Sequence, residues 1–468
     1  MNLIWFRNDL RVDDNPALHH AVNDKAQQTV AVYLLCQTQW ELHNVGNNQR
    51  ALIACALENL KEKLNGLNIP LLVVDADTFS QVPDILSAIC HQFNIQNLYF
   101  NVEYPLNERL RDRRVVDVLA GKVKCHRFVA DSLVAPWEIV TGERQGYKVY
   151  SAFARAVYRN IDQQPVVTYS PPDKLPKENL SLVDFSKVSS ATSGEPIKVT
   201  PTAKRVPDVA EQKMHKKLRV FCKNTIDQYE SDRDFPAIEG TSDLSAALAV
   251  GTISVRRCYQ VAKDVAGEKA HKWIGELIWR DFYRSVIWHF PDICKGRAFN
   301  PVDSQLTWSR SIQNELAWQK GETGIPIIDA AMQQLIQTGW MHNRLRMIVA
   351  SYFTKNLWLD WRKGEAFFAQ HLFDYDFASN NGGWQWCASV GTDAAPYFRI
   401  FNPQAQQKKF DVDAFFIKQW VPALKSIDAK TIHRFESQEI SGYFKPQVDL
   451  KLSRKLAIEN FKKAKTAT

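Results

Sequence analysis

The sequence predicts a parallel α/β domain at the N-terminus, joined by a long linker to an all-helical C-terminal domain. Three observations carry this. Short apolar runs alternate with helical patterns from residue 1 to about 130, the beat of a parallel sheet with crossover helices. Residues 160–210 hold seven of the twenty prolines and a single glycine, which marks a connecting segment. From about residue 211 the pattern is helical, and eleven of the fourteen tryptophans lie between residues 273 and 420.

Taken in order, strands are expected at LIWF (3–6), TVAVYLL (29–35), PLLVVD (70–75) and NLYFN (97–101). Between them Ile53, Leu57, Leu60 and Leu64, and then Val82, Ile85, Ile89 and Phe93, recur at helical spacing and give each crossover helix one apolar stripe. Asn15 followed by Pro16 reads as a cap and a first helical position. A Rossmann-like sheet of this kind has a ligand crevice at its strand ends. Yet no GxGxxG follows the first strand and no Walker lysine loop is present, so a standard dinucleotide or ATP site is not expected. The expected division is 1–130 for the α/β domain, 131–210 for the linker and 211–468 for the helical domain.

A composition with 45% hydrophobic and 24% charged residues excludes a disordered or fibrous chain. The formal net charge of +8 suits a polyanionic partner. Eight cysteines, no two closer than 19 residues, offer neither a CxxC pair nor a zinc knuckle. They read as free thiols of a cytoplasmic protein, with no metal site. The start, MNLIWFRNDLRVDD, turns charged after six residues, and no apolar run reaches the length of about 18 that a membrane span needs.

Three constellations carry chemistry. Laid on a helix, WIGELIWRDFY (273–283) puts Ile274, Ile278 and Phe282 on a core stripe and Trp273, Glu276, Trp279, Arg280 and Tyr283 in another arc. That arc is a pocket wall, or else Glu276 and Arg280 form an ordinary solvated i, i+4 pair. GWMHNRLRM (339–347) places Asn343 and Met347 at i, i+4 beside Arg344 and Arg346. DYDFASNNGGWQW (374–386) packs two acids, two asparagines, two glycines and two tryptophans into thirteen residues, more than a turn requires. The tryptophans of this half are either a bulky helical core or a site that stacks flat rings.

Together with WFRNDLRVDDNPAL near the start, YESDRDFPAIEGTSDLS (229–245), ELIWRDFYR (276–284), TGWMHNRLRM (338–347) and NNGGWQWCASVGTDAAPYFRIFNP (380–403), these segments resemble the photolyase and cryptochrome family. The likeness runs over nearly the whole chain and is nearest to the bacterial class I photolyases of cyclobutane pyrimidine dimers. It implies a light-dependent DNA repair enzyme in which fully reduced FAD passes an electron to the dimer, and an N-terminal antenna domain. The alternatives within it are a cryptochrome photoreceptor without repair activity and a single-strand-specific relative.

The same resemblance implies residue roles. Thr241, Ser242, Asp243, Leu244 and Ser245 would open a helix toward the FAD phosphates, although a plain capping cluster would look alike. Tyr229, Trp273, Arg280 and Asn343 would add cofactor contacts, Arg346 would pair with Asp374 beside the flavin, and Asp376 would meet the ring edge or ribose. Asn380 matches the asparagine near flavin N5, where plant cryptochromes typically carry aspartate. Trp279 and Trp386 would stack on a flipped dimer, with Glu276, Asn343 and Met347 at its polar edge and Arg233, Arg344 and the lysines at 408 and 409 on phosphates. Relatives that repair (6-4) photoproducts typically have histidines near the Asn343 and Met347 positions, and this chain has none there.

Trp384, Trp361 and Trp308 match the family's chain of rings that reduces oxidised flavin. His43, Asn107, Glu108, Cys294 and Lys295 match positions that hold a 5,10-methenyltetrahydrofolate antenna, though Asn107 and Glu108 also fit helix capping. Two departures stand out: Asp243, where near relatives often have a basic residue, and Gly275, where asparagine is usual. The expected partner is ultraviolet-damaged DNA, bound by a monomer.

Overall fold

The computed structural model describes residues 1–24, 28–181 and 197–466. Five parallel strands, β1 (Asn2–Phe6), β2 (Thr29–Leu35), β3 (Leu71–Asp75), β4 (Asn97–Asn101) and β5 (Lys124–Phe128), form one sheet in the order β3-β2-β1-β4-β5. Register pairs Leu3 with Val30 on one side and with Leu98 on the other. β1 and β2 are buried at every position, as strands covered on both faces must be, which is why they read as unbroken apolar runs. β5 (KCHRF) lies at the sheet edge with an exposed end, so it has no apolar run to mark it and was not among the expected strands.

Helix Asn47–Gly66 buries its predicted stripe of Ile53, Leu57, Leu60 and Leu64, whereas helix Val82–Gln92 buries Val82 and Ile89 of its predicted stripe together with Leu86, and Ile85 and Phe93 are only partly buried against the same core. Asn15 caps helix Pro16–Asn23 by accepting from Leu18 N at 3.2 Å, with Pro16 in the first turn. Trp5, Val32, Val74, Leu86, Leu98 and Phe100 centre the core.

The strand order reverses between β1 and β4, so a crevice is expected there. The chain fills it with its own polar groups. Asn101 donates to Asp9 Oδ2 at 2.6 Å and to Asn15 Oδ1 at 2.8 Å, and Asp9 Oδ1 accepts from Arg7 N at 2.7 Å. This network is the physical counterpart of the missing glycine fingerprint.

Helix Tyr150–Gln163 follows the sheet, and the chain after it bonds back to the segments around the strands. Tyr169 N donates to Asp14 Oδ1 at 3.0 Å, and Asn179 bonds Thr29 O at 2.8 Å and Asn68 O at 2.7 Å. Residues 182–196, part of the proline-rich stretch, lie outside the described residues.

The chain forms two compact units, each assembled from separated segments: Met1–Thr200, Val206–Asp227 and Ser242–Cys294 make one, and Pro201–Arg205, Gln228–Thr241 and Lys295–Thr468 the other. The second is built from helices that include Pro326–Thr338, Asn343–Ser351, Trp361–His371, Phe377–Ala388 and Leu450–Thr466. Its core gathers Trp318, Met332, Leu335, Phe353, Phe368 and Trp384. The bulky-core reading holds for part of the set. Trp273, Trp318, Trp361 and Trp384 are core, whereas Trp279, Trp308 and Trp386 are half-buried.

Candidate functional site

In the first unit, helix His271–His289 buries Ile274, Leu277, Ile278 and Phe282. Glu276, Trp279, Arg280 and Tyr283 remain half-buried. Trp273 departs from that arc: it is buried and packs on Phe221 at 5.4 Å. Trp279 is stacked flat on Tyr150, centroids 3.6 Å apart and planes 5° apart. Tyr150 also donates to Gly275 O at 2.8 Å. A Cβ at position 275 would meet that hydroxyl at 3.6 Å, an ordinary contact, so the glycine is not demanded by space.

Arg280 is held inside the unit. Its guanidinium bonds Asp131 O at 2.7 Å, the Asp131 carboxylate, and Leu248 O at 3.3 Å. Arg284 grips the other Asp131 oxygen at 2.7 Å. Arg280 thereby ties helix His271–His289 to the end of helix Ser245–Val250. At the start of that helix Leu244 is the cap residue and no side chain caps it, so capping does not account for the hydroxyls of Ser242 and Ser245. Asp243 has φ 49°, a left-handed conformation that Asp tolerates, and its side chain points outward to an ion pair with Lys217.

In the second unit Arg346 pairs with Asp374, bonding both carboxylate oxygens at 3.1 and 2.8 Å, and donates to Met341 O at 2.8 Å. Asp376 caps helix Phe377–Ala388 by accepting from Ser379 N at 2.9 Å. Asn380 Nδ2 donates to Glu365 O at 3.0 Å, which leaves the amide oxygen as an acceptor. Glu365 itself accepts from Asn381 at 2.9 Å, and desolvation pushes its carboxyl up to about 7. Gly383, one turn beyond Asn380, faces open space, since a Cβ there would meet nothing within 4 Å. An oriented amide, an acid–guanidinium pair and an open helix face fit a flat heterocycle with N–H and carbonyl edges.

Arg344 bonds Asp234 at 2.7 Å and lies over Phe410 at 4.7 Å, while Arg233 lies over Tyr229 at 5.4 Å and reaches Asp234 at 3.9 Å. Asn343 is exposed and Met347 half-buried. His342 is buried with an orphan Nε2, and burial lowers its pKa to about 4. Trp386 has Phe401 at 6.5 Å. Thr241 is half-buried at the end of its segment.

Of the relay candidates, Trp384 lies against helix Trp361–His371 so closely that a Cβ on Gly364 would sit 2.1 Å from its ring. Trp361 opens that helix and donates to Asp303 at 3.2 Å. Trp308 packs on Trp358 at 4.9 Å, its indole N–H buried without a partner.

The antenna candidates His43, Asn107, Glu108 and Cys294 converge in the first unit. Asn107 and Gln39 both aim amide nitrogens at His43 Nε2, at 2.9 and 3.0 Å, so the ring proton sits on Nδ1, 3.7 Å from Glu108. Burial, aided by Glu103, pushes Glu108 up to about 7, and burial lifts Cys294 to about 11. Helix Leu106–Leu119 has no side-chain cap, so Asn107 does not cap it. Lys295 begins the last segment of the other unit. Sequence reasoning missed Tyr150, Asp131, Asp234 and Glu365, whose partners are distant in the chain.

Residues 2–174 match a family described as DNA photolyase, and residues 273–463 the FAD binding domain of DNA photolyase. A deoxyribodipyrimidine photo-lyase of Escherichia coli is 41% identical, covering 92% of this chain and 91% of that relative. The class III photolyase of Agrobacterium tumefaciens has a similar structure, TM-score 0.85 at 30% identity, covering 99% of this chain and 98% of that one. A Synechocystis cryptochrome shares the fold, TM-score 0.83 at 24% identity over 98% of both chains.

Proposed function

Because this chain belongs to the DNA photolyase family, we infer that it is a light-dependent DNA repair enzyme that binds FAD and splits cyclobutane pyrimidine dimers. When bound and fully reduced, FAD supplies on excitation the electron that opens the cyclobutane ring and takes it back afterwards. The chain's residues bind, orient and exclude water. The photoreceptor alternative has fold likeness behind it and no more.

The observation that carries the reading is the orientation of Asn380. With its N–H on Glu365 O, the amide oxygen can accept from the N–H of a reduced ring. Arg346 and Asp374 would hold the polar edge of the ring, with Asp376 at ring or ribose. Ser242, Asp243, Leu244 and Ser245, with Tyr229, Thr241, Trp273 and Asn343, would hold the remainder. Arg280 supports this set from behind, by fixing helix Ser245–Val250.

Trp279 and Trp386 would stack on the flipped dimer, which costs less to extrude than a sound base because it stacks badly. Glu276, Asn343 and Met347 would line its edge, with Arg233 and Arg344 on flanking phosphates. His43, Asn107, Glu108, Cys294 and Lys295 would hold a folate antenna, and Trp384, Trp361 and Trp308 would relay electrons. We further propose a monomer, divided functionally at about residues 130 and 210, that acts in the cytoplasm. All eight cysteines are free, which suits a reducing compartment. Among the described residues no helix is long and apolar enough to cross a membrane.

Dimer repair by the flavin-loaded protein is expected under blue light and absent in darkness, and equal rates in both would overturn the assignment. Glu276→Ala is expected to retain flavin and to repair about tenfold more slowly, because a positioned polar group at the dimer carbonyls is lost. An unchanged repair rate per absorbed photon removes Glu276 from the mechanism.

A further inference from the structure

Trp361, the middle ring of the proposed relay, meets more charge than a buried aromatic ordinarily does. It is fully buried, at the first position of helix Trp361–His371. A helix start carries the positive end of the backbone dipoles. The guanidinium of the next residue, Arg362, lies over the Trp361 ring at 4.5 Å. Both features make it costlier to take an electron from this ring, because the cation left behind would sit in a dry site beside positive charge.

Asp303 opposes them. The sequence NPVDSQ (300–305) folds into a tight helical turn: Asn300 Oδ1 accepts from Val302 N at 3.0 Å, Pro301 takes the first position, and Val302 is buried. Asn300 N in turn donates to Val390 O at 2.7 Å, just past helix Phe377–Ala388. The turn therefore presents the Asp303 carboxylate from a fixed base. One oxygen accepts the Trp361 indole N–H at 3.2 Å, and the other accepts from Arg362 Nη2 at 2.5 Å. The Asp303 side chain is only 9% exposed, so mobile ions screen it weakly. Arg362 is kept in place by the Asp360 carboxylate at 3.1 Å and by Gly296 O at 2.7 Å. Trp308 differs, its indole N–H being buried with no partner.

A carboxylate that accepts an indole N–H stabilises the oxidised, positively charged ring more than the neutral one, since charge-assisted bonds are the stronger kind. The same carboxylate offsets the guanidinium above the ring. We propose that Asp303 is a positioning residue of the relay, which lets Trp361 give up an electron by accepting its indole N–H and by neutralising Arg362. This rests on the relay within the repair reading and adds to it a residue outside the three rings. In the steps concerned, Trp384 loses one electron to oxidised flavin under light, Trp361 refills Trp384, Trp308 refills Trp361, and a thiol in solution restores Trp308. No bond is made or broken at Trp361, and its indole proton stays on nitrogen.

The test uses flavin-loaded Asp303→Asn, Arg362→Gln, the double variant and Trp361→Phe, each in thiol buffer. Asn keeps the shape and an acceptor while removing the charge, and flavin content checks the fold. Light-driven reduction of oxidised flavin is expected to slow about tenfold in Asp303→Asn. It is expected to return to within about twofold of wild type in the double variant, where the opposed cation is gone too. Arg362→Gln alone should be at least as fast as wild type. A second readout needs no photochemistry. In protein carrying isotope-labelled tryptophan, the indole N–H resonance that Trp361→Phe deletes is expected to move upfield in Asp303→Asn, because its acceptor has lost its charge. Wild-type photoreduction by Asp303→Asn overturns the proposal, as does an unmoved resonance. A double variant as slow as Asp303→Asn overturns it as well, since lost packing rather than lost charge then explains the defect. Trp361→Phe that photoreduces at the wild-type rate sinks the relay reading and this role with it, whereas slow Trp361→Phe beside fast Asp303→Asn sinks the role alone.

Discussion

Asn380 shows how one backbone carbonyl can set the chemistry of a side chain. Its amide has two ends, and Glu365 O selects which end is left over. The Glu365 carboxyl lies beside this bond with a pKa raised from 4.5 to about 7 by desolvation. A carboxyl raised in the fold contributes stability that is fully present below the unfolded value, near 4.5, and lost as pH rises through about 7. Glu365→Gln keeps the acceptor for Asn381 and removes the ionisation. Its urea midpoint is expected to match wild type near pH 4 and to exceed it near pH 8. An equal difference at both pH values would mean that Glu365 titrates as an ordinary carboxylate. The Arg346–Asp374 pair, whose two side chains do meet, was legible only through the family resemblance that their motifs carry. Asp131 and Asp234 were not, since their arginine partners lie 149 and 110 residues away and local spacing carries no trace of them.

At the scale of elements, the close approach of helices Trp361–His371 and Phe377–Ala388 depends on Gly364, whose missing side chain admits the Trp384 ring. The packing places Trp384 against the helix that Trp361 opens, and so gives a relay a structural frame. Trp308→Phe is expected to keep fold and flavin, because ring-for-ring exchange preserves most of the volume. It should nevertheless stop light-driven reduction of oxidised flavin, phenylalanine being far harder to oxidise, while repair by prereduced enzyme survives. Photoreduction at the wild-type rate, measured by absorbance, would remove Trp308 from the relay. The sequence showed four strands clearly because each is an apolar run. It hid β5, whose place at the sheet edge lets Lys124 and Arg127 stay exposed. Trp273 was assigned to a pocket arc from its angle alone, but angle does not reveal that Phe221, 52 residues earlier in the chain, covers it.

For the molecule as a whole, the repair reading, with Arg233, Arg344 and the lysines at 408 and 409 on phosphates, predicts binding to dimer-containing DNA whose affinity falls as salt rises. Filter binding or fluorescence anisotropy that stays flat across a salt titration, or that equals the value for intact DNA, would refute the proposed phosphate and lesion contacts. The prolines suggested a linear division of the chain; the interleaving of the compact units left no trace there, because composition says nothing about which segments return to which core. That interleaving has a consequence for how the protein is made. All five strands have been synthesised once Phe128 emerges, yet the unit they belong to is completed only when the segment ending at Cys294 follows. At ~5–20 residues per second, the sheet waits about ten to thirty seconds for its last partner. During that interval Pro201–Arg205 and Gln228–Thr241, which belong to the other unit, are already synthesised and have no core of their own to join. A ribosome-bound chain stalled in this window should be far more sensitive to protease than the finished protein, and its N-terminal sheet should be the part that resists.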